Sequence, residues 1–322
     1  MRMSEENDFY LKQLNELTFK PVFILGLHRS GTSLLYEILS TTGCFNVVTA
    51  YHIINFNRLI SNHINGREKE VKEEIKAFLK KYSQLNRGID ELIVTPDFPE
   101  EYGFILTNRS YPWRLTKRNL SIFKELCGKI QFINKTDKPI LLKNPFDFSN
   151  FLFIKKEFPD SRFIFIHRHP IRVINSFIRA MQTLLFNDRN PYTTLLFHLY
   201  DRIFDNPLLL YTARFHYASP LGVIQVTLAF ARATQYFLRN ISLIDDRDYI
   251  EVRYEDLCEK PMETISKVLD FLDLKVVNPI DYEKLIKPRK VELLPTVDKL
   301  KSFITRKMQP YLSHCGYEGI VI

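Results

Sequence analysis

The sequence has few cysteines, no secretory signal and no long apolar run, and each absence excludes a class of protein. Its 322 residues include four cysteines whose spacing fits neither a zinc motif nor a disulfide framework, namely Cys44, Cys127, Cys258 and Cys315. We therefore expect free thiols in a reducing compartment and no metal site. The first 14 residues, MRMSEENDFYLKQL, lack the apolar core of a signal peptide, and no 18 apolar residues stand together to span a bilayer. These features predict a cytoplasmic protein.

The charge is unbalanced towards the positive. There are 45 Lys and Arg against 37 Asp and Glu, which gives a net charge of +8, so the partner is expected to be anionic. Nucleic acid, an acidic membrane surface and a phosphorylated cofactor all meet this condition. The basic residues beyond position 280 alternate with acidic ones and lack interleaved aromatic residues, so a noncatalytic nucleic-acid-binding protein ranks last and no nucleic-acid partner is expected. The hydrophobic content of 45% favours one large α/β domain over residues 1–322.

One stretch near the start has the spacing of a phosphate-binding loop. Residues 22–25 form an apolar run typical of a buried strand in a parallel sheet. Gly26 follows, then four residues, then Gly31, Thr32 and Ser33, and after them apolar residues at helical spacing. In this arrangement, backbone N–H groups and a helix N-terminus form a seat for phosphate oxygens.

The loop departs from the nucleoside triphosphatase motif at one position. Thr32 stands where that motif has the lysine that reaches the β and γ phosphates. Arg29 supplies a cation inside the loop instead, with His28 beside it, so the ligand is expected to be an anion other than a nucleoside triphosphate. The alternative is a strand-to-helix turn in which Ser30 and Thr32 only cap the helix.

Strands and helices alternate along the rest of the chain. Residues 138–143 and 162–167 are predicted strands, and helices are predicted around them. This rhythm favours right-handed βαβ units and a parallel sheet, whose ligands bind at the carboxyl ends of the strands. Arg29, Lys143 and Arg168 are therefore expected on one rim of the sheet. Further helices are predicted over 8–18, 67–86, 149–158, 222–244 and 261–274, and further strands over 45–48 and 249–257.

Residues 184–221 are rich in aromatic residues, leucine and proline. Pro191, Pro207 and Pro220 divide them into short pieces. One interpretation is a helical excursion packed on the core; the other is a lid or acceptor-binding insertion that touches a membrane surface. The final helix and turn, residues 308–317, are expected to close over the site or the sheet edge.

Four segments, in this order, together resemble the sulfotransferases that use 3′-phosphoadenosine 5′-phosphosulfate. They are the loop 26–33, most similar to the branch with arginine at the position of Arg29; Leu-Lys-Asn-Pro at 142–145; Phe-Ile-His-Arg-His-Pro at 165–170 with Ser176 behind it; and Val-Arg-Tyr-Glu-Asp-Leu at 252–257. The resemblance covers residues 20–260 and weakens over 184–221, where members of the family differ with their acceptors. It implies a three-layer α/β sandwich with a central parallel sheet, similar to the P-loop nucleotide hydrolases, with helical insertions.

The resemblance also implies a reaction and a set of site residues. A sulfuryl group would pass to a hydroxyl of a lipid-like, glycan or other small-molecule acceptor, leaving adenosine 3′,5′-bisphosphate, without a metal. Arg29 would stabilise the leaving phosphate, and Arg168 with Ser176 would bind the 3′-phosphate. The remaining donor-binding residues would be His28, Ser30, Gly31, Thr32, Ser33, Lys143 and Tyr254.

The general base is the least defined of these roles. The branch with arginine in the loop often carries Pro-x-Glu-(Asp/Glu) before the Lys-Asn-Pro strand, and Pro-Glu-Glu-Tyr at 99–102 fits that place. Glu101 is therefore the first candidate, Glu100 the second and His52 the third. The alternative function is a P-loop kinase that transfers phosphate from ATP to a small molecule, against which the missing lysine counts. The sequence does not indicate the oligomeric state.

Overall fold

The core of the molecule is a parallel β-sheet. The computed structural model describes residues 18–81, 87, 89, 92–286 and 292–320. The five strands of the sheet lie in the order β2-β3-β1-β4-β5, and every neighbouring pair is parallel. Their bounds are Pro21–Leu25 (β1), Asn46–Val47 (β2), Ile140–Lys143 (β3), Arg162–His167 (β4) and Tyr249–Arg253 (β5).

Helices cover the sheet and fill the connections between its strands. Up to β4 they are Thr32–Thr41 (α1), Ala50–Ile54 (α2), Leu59–Ile64 (α3), Glu68–Lys81 (α4), Gly103–Thr107 (α5), Leu120–Asn134 (α6) and Phe151–Glu157 (α7). After β4 they are Pro170–Phe186 (α8), Pro191–Leu196 (α9), His198–Asp205 (α10), Pro207–Ala218 (α11), Pro220–Asn240 (α12), Tyr254–Glu259 (α13), Pro261–Phe271 (α14), Tyr282–Leu285 (α15), Pro295–Lys299 (α16) and Lys301–His314 (α17). Short 3₁₀ turns lie at Phe56–Arg58, Pro145–Asp147 and Ile241–Leu243.

The sheet is buried on both faces, which explains the apolar runs in its strands. Within β1, Phe23 belongs to one hydrophobic cluster and Ile24 to a second cluster on the opposite face. Successive side chains of a strand point to opposite faces, so each cluster fills one side of the sheet. The three-layer α/β architecture predicted from the sequence is confirmed.

The strand order places the loop that follows β1 at the centre of one edge of the sheet. β1 lies between β3 and β4, so the chain crosses to opposite sides of β1 when it forms these two strands. Such a switch point opens a crevice at the carboxyl ends of the strands, where α/β proteins bind their ligands. Lys143 ends β3 and Arg168 follows β4, so these residues and Arg29 share that rim as predicted.

The structure corrects some predicted bounds. The strand predicted over 249–257 ends at Arg253, and α13 begins at Tyr254. Ile250, Val252 and Tyr254 alternate as in a strand, whereas Tyr254 and Leu257 are spaced as on one face of a helix. Two carboxylates in the first helical turn favour the helix. The helix predicted over 67–86 ends at Lys81 in the described part, and the helix predicted over 8–18 lies outside the described residues apart from its last position.

Three prolines of the 184–221 region begin helices. Pro191, Pro207 and Pro220 each occupy the first turn of a helix, where the missing N–H costs nothing. Helix α11 packs against α8 and α12 but leaves Leu208, Tyr211 and Phe215 exposed on its outer face. Among the residues that the structure describes, no helix combines the length and apolar character needed to cross a bilayer.

The C-terminal helix and turn close over the outer strand of the sheet, as the sequence predicts. Helix α17 packs against α8 and α12, and His314 Nε2 lies 2.7 Å from Glu251 Oε2 on the edge strand β5. Tyr317 then donates a hydrogen bond of 2.6 Å to Glu255. These contacts stabilise the segment that carries Tyr254, which contacts the loop.

Candidate active site

The loop after β1 needs its glycines. Arg29 and Gly31 have positive φ angles of 71° and 105°. A Cβ at Gly31 would lie 2.3 Å from the ring of Tyr254, and one at Gly26 would lie 2.5 Å from the carbonyl oxygen of Ile166. A side chain at either glycine would therefore push the loop off its supports. The loop leads into α1, whose N-terminal N–H groups favour an anion.

A cavity of about 450 Å³ opens beside the loop. It runs from the start of α1 to the first turns of α8 and to Tyr254. Its lining includes Arg29, Gly31, Thr32, Ser33, Arg168, Ser176 and Tyr254, all predicted as donor-binding residues. It also includes Glu37, Arg172 and Asn175, and the apolar residues Leu34, Leu92, Ile93, Leu285 and Leu293. The cavity combines cations with apolar walls, which suits a nucleotide.

Two arginines from different strand ends meet at this cavity. Arg168 donates a hydrogen bond of 3.2 Å to the carbonyl oxygen of Arg29, and its guanidinium lies 4.0 Å from the centre of the Tyr254 ring. Arg29 Nε donates to Ser176 Oγ at 3.3 Å. The buried Nε of Arg168 has no hydrogen-bond partner in the described part of the chain. The structure thus brings together four residues that lie up to 225 positions apart in the sequence, with a donor left for a ligand.

Lys143 joins the loop to the carboxylate predicted as the base. Its ammonium group is fully buried and donates to Ser33 Oγ at 3.0 Å, and it lies 3.0 Å from Glu101 Oε1. Burial works to raise the pKa of Glu101, but the charge of Lys143 and its hydrogen bond outweigh burial, so this pKa is lowered from its usual range. Glu101 is therefore ionised at neutral pH.

Glu100 has the opposite character, although it is the adjacent residue. One carboxylate oxygen accepts a hydrogen bond of 2.8 Å from the Tyr192 hydroxyl, and the other accepts one of 3.1 Å from the backbone N–H of Glu101. Burial raises the pKa of Glu100 despite the charges of Arg87 and Lys143. The two neighbours are thus divided into a carboxylate paired with a cation and a buried carboxyl group bonded to a tyrosine.

Arg87 is a site residue that sequence reasoning missed. Its buried side chain donates to Ser33 Oγ at 3.3 Å and lies 3.9 Å from Glu100 Oε1. Ser33 Oγ therefore accepts from Arg87 on one side and from Lys143 on the other. A hydroxyl has two acceptor positions and one donor, so the Ser33 hydroxyl can still donate a hydrogen bond to a third group. No motif surrounds Arg87 in the sequence, and only the folded chain brings it to the loop.

Six candidate residues do not line the cavity: Lys143, Glu101 and Glu100, described above, and Ser30, His52 and His28. Ser30 is fully buried within the loop, with its N–H bonded to the carbonyl oxygen of Leu27 at 3.0 Å. His52 Nδ1 accepts a hydrogen bond of 3.0 Å from the N–H of Thr49 and so caps α2; burial lowers the pKa of His52 to about 4. A helix cap explains this histidine without a catalytic role.

His28 faces away from the cavity lining, towards aromatic residues. Its ring lies edge-on to Phe146 and Phe177, with centroids 4.3 Å and 5.9 Å away. Burial lowers the pKa of His28 to about 4, and the effect of Glu101 in the other direction is smaller. His28 is neutral at physiological pH and is poorly suited to bind a phosphate as a cation.

Metal ligation has no evident basis in the described ranges. Within residues 18–81, 92–286 and 292–320, no group of three or more His, Cys, Asp or Glu side chains is arranged to hold a metal ion. Arg29 and Arg168 line the cavity, and Lys143 and Arg87 donate to Ser33, which also lines it. The site therefore offers four cationic side chains to an anionic ligand.

Comparisons with known proteins show the family and the fold. A family model described as "Sulfotransferase family" matches residues 21–278. Among solved structures, sulfotransferase STF1 of Mycobacterium tuberculosis H37Rv matches with a TM-score of 0.60 at 12% identity, over 94% of this chain and 80% of that one. Sulfotransferase STF9 of Mycobacterium avium matches with a TM-score of 0.63 at 14% identity, over 94% and 79%. Comparison with curated protein sequences gave no significant match.

Proposed function

The chain belongs to the sulfotransferase family, and we propose that it transfers a sulfuryl group from 3′-phosphoadenosine 5′-phosphosulfate to a hydroxyl group of a small-molecule acceptor. The observation that carries this proposal is the pair of cationic groups at one cavity. Arg29 and the N–H groups at the start of α1 line it together with Arg168 and Ser176, and Arg29 Nε lies 3.3 Å from Ser176 Oγ. A donor with a 5′-phosphosulfate and a separate 3′-phosphate fits this pair.

The residues present fit such a donor on structural grounds. The 5′-phosphosulfate would be held by Gly31, Thr32 and Ser33, through N–H groups at the start of α1 and hydroxyl donors. The 3′-phosphate would be held by Arg168, whose buried Nε lacks a partner in the described residues, and by Ser176. An arginine fork binds phosphate oxygens in pairs, which explains why an arginine suits this place.

The cations at the loop would stabilise the charge that develops during transfer. Arg29 belongs to the loop, and both Lys143 and Arg87 donate hydrogen bonds to Ser33 Oγ at its end. Fixed donors in a site that excludes water stabilise developing charge more than water does. When bound, the donor supplies an activated sulfuryl group and a phosphate leaving group. The leaving phosphate takes the electron pair of the broken S–O bond, and Arg29 would meet its charge.

Glu101 is the proposed base. It would accept the proton of the acceptor hydroxyl while the acceptor oxygen forms its bond to sulfur, so that the products are a sulfate ester and adenosine 3′,5′-bisphosphate. An anion bound at the loop would also interact with Lys143, and the ion pair between Lys143 and Glu101 would become weaker. Burial would then raise the pKa of Glu101 towards a range that suits a base. Glu100, bonded to Tyr192, and His52, which caps a helix, are less well suited.

The insertion 184–221 is proposed to lie on the acceptor side of the site. Its Tyr192 hydroxyl bonds to Glu100, the residue next to the proposed base, and its Phe197 ring lies 4.8 Å from that of Trp113. The insertion therefore contacts residues near the proposed base that do not line the donor cavity. Contact of its exposed outer face with a membrane surface and a cytoplasmic location remain predictions.

Calorimetric titration tests the donor assignment against the ATP-dependent kinase alternative. We expect adenosine 3′,5′-bisphosphate to bind more tightly than ATP with Mg²⁺, because Arg168 and Ser176 meet a 3′-phosphate that ATP lacks. The Arg168→Ala variant should remove most of this preference. A clear preference for ATP in the unmodified protein would refute the sulfotransferase donor and support the kinase.

A further inference from the structure

A row of aromatic side chains runs past the loop on the side away from the donor cavity. The aromatic row consists of Trp113, Phe146, His28, Phe177 and Tyr217, and each ring contacts the next. The Trp113 and Phe146 rings are stacked with centroids 4.8 Å apart, His28 is 4.3 Å from Phe146 and 5.9 Å from Phe177, and Tyr217 is 6.5 Å from Phe177. The row therefore extends from the loop to the insertion.

Four of the five members of the aromatic row are tied to a site residue. His28 is adjacent to Arg29 and Phe177 to Ser176, while Phe146 follows Lys143 by three positions. The carbonyl oxygen of Trp113 accepts a hydrogen bond of 2.7 Å from Asn144, the neighbour of Lys143. The row thus takes its position from the segments that carry the chemistry.

The aromatic row is partly open to solvent, unlike the aromatic residues of the core. Phe23, Phe123 and Phe163 in the core are completely or almost completely buried. In contrast, every member of the row keeps part of its surface exposed, and Phe146 is 37% exposed. Phe146, the most exposed member, presents apolar surface beside the shielded His28 ring, and such a surface can hold a ligand.

One buried polar atom of the aromatic row lacks a partner. Nε2 of His28 makes no hydrogen bond with any described residue, although it is shielded from solvent. A buried polar group without a partner costs free energy unless a ligand or water satisfies it. This atom lies between Phe146 and Phe177, in the residue next to Arg29, so a hydroxyl bound there would be close to the transfer site.

We propose that the aromatic row binds the acceptor, that this acceptor is an uncharged alcohol with an apolar ring or chain, and that His28 Nε2 hydrogen-bonds its hydroxyl group. The proposal rests on the proposed function and names its acceptor class. A glycan would need several polar partners, and the row offers only His28, the Tyr217 hydroxyl and the Trp113 indole N–H. His28 is neutral at physiological pH. Depending on its tautomer, Nε2 can therefore accept a hydrogen bond from the hydroxyl group or donate one to the hydroxyl oxygen.

The test uses the fluorescence of Trp113, the single tryptophan of the chain. The full-length protein is titrated with 1-octanol, cyclohexanol and methyl glucoside as probes. We expect both apolar alcohols to change the emission at concentrations at least about tenfold below methyl glucoside, because they bury apolar surface on the row. Equal responses, or tighter binding of the glucoside, would overturn the proposal.

Variants connect the signal to the row. Phe146→Ala should weaken octanol binding by about tenfold, and Phe146→Leu by less, because the ring contributes both area and stacking. The matched control is Phe215→Ala, which removes a phenylalanine that is 61% exposed on the outer face of α11 and should leave binding unchanged. Thermal unfolding monitors the fold of each variant. Unchanged octanol binding in a folded Phe146→Ala protein would overturn the proposal.

The donor experiment is read separately. Trp113 fluorescence needs neither donor nor turnover, while calorimetry with adenosine 3′,5′-bisphosphate needs no acceptor. Failure of bisphosphate binding would refute the proposed donor and leave the alcohol site standing. Bisphosphate binding without alcohol selectivity would keep the proposed function and overturn the acceptor class.

Discussion

The proposed donor side and the proposed acceptor side of the site are built from different kinds of side chain. The donor side consists of charged and hydroxyl groups that follow strand ends, such as Arg29, Lys143 and Arg168. The acceptor side consists of aromatic rings from segments far apart in the chain, completed by the insertion. A phosphate needs a fixed number of donors in fixed directions, whereas an apolar surface only needs area. The donor-binding residues can therefore be recognised from short sequence motifs, whereas the residues of the acceptor side cannot.

Glu101 lies between the two sides, and its removal should give the largest effect. Glu101→Gln keeps the shape of the side chain but cannot accept the proton, so kcat should fall by about 10²- to 10⁴-fold. Affinity for adenosine 3′,5′-bisphosphate should change little. Asp97→Asn, at a largely exposed carboxylate in the same loop region, is the control. Full turnover by Glu101→Gln would transfer the role of base to Glu100 or His52.

Lys143→Met tests whether one cation serves both sides. Loss of a fixed donor at the loop should lower kcat by about a hundredfold. Without the ammonium group, burial is opposed by His28 and Arg87 but no longer by Lys143, so the pKa of Glu101 rises and the carboxylate stays protonated to a higher pH. The acidic limb of the pH profile of kcat/KM should therefore move to higher pH than in the unmodified protein. An unmoved limb would mean that Lys143 does not control the base.

Arg168→Ala should weaken donor binding without affecting acceptor binding. The loss of charged hydrogen bonds to the 3′-phosphate should weaken binding of adenosine 3′,5′-bisphosphate by about 10- to 100-fold. Octanol binding, read from Trp113 fluorescence, should be unchanged. Arg179→Ala changes an exposed arginine on α8, the helix that follows Arg168, and is the matched control. A comparable loss in both variants would point to a general effect of charge.

Arg87→Met asks whether this arginine acts through Ser33. Its removal should weaken bisphosphate binding by about tenfold, because the Ser33 hydroxyl is no longer fixed as a donor. If Arg87 acts through that hydroxyl, the double variant with Ser33→Ala should lose little more than Ser33→Ala alone. Additive losses would instead assign Arg87 an independent contact with the ligand.

Tyr192→Phe should have the smallest effect, and this effect should be on the free energy of unfolding. The variant removes the hydrogen bond that the insertion donates to Glu100, and urea denaturation should show a loss of about 1 kcal/mol. The loss stays small because the raised pKa of Glu100 makes its neutral form accessible. Tyr211→Phe, at a hydroxyl on a side chain that is 68% exposed, should be neutral. Equal stability of both variants would exclude the proposed anchoring role of Tyr192.

The sequence could predict the parts of the site that depend on local order. Arg29, Lys143 and Arg168 each follow an apolar run that reads as a strand, and the rule for parallel sheets then places them on one rim. The three-layer fold follows from the same runs. The helix at Tyr254 is predicted as strand because the alternation of Ile250 and Val252 continues to Tyr254, the first residue of the helix.

The parts that depend on tertiary contacts could not be predicted in this way. Arg87 reaches Ser33 across 54 positions, and nothing in its neighbours marks it. His28 was expected to help bind the donor because of its place in the loop, but its ring turns towards Phe146, which is 118 positions away. Whether a loop side chain faces the cavity or the aromatic row depends on what packs beside it.

The contact between Gly31 and Tyr254 sets an order for the assembly of the molecule. The loop lies near the N-terminus, but the ring that supports it, and that also stacks on Arg168, belongs to the last third of the chain. A nascent chain that ends before β5 therefore has the complete loop sequence without the wall against which the loop is shaped. Competence to bind the nucleotide should arise late in synthesis, when residues 249–259 dock, even though the binding motif is among the first parts to be made.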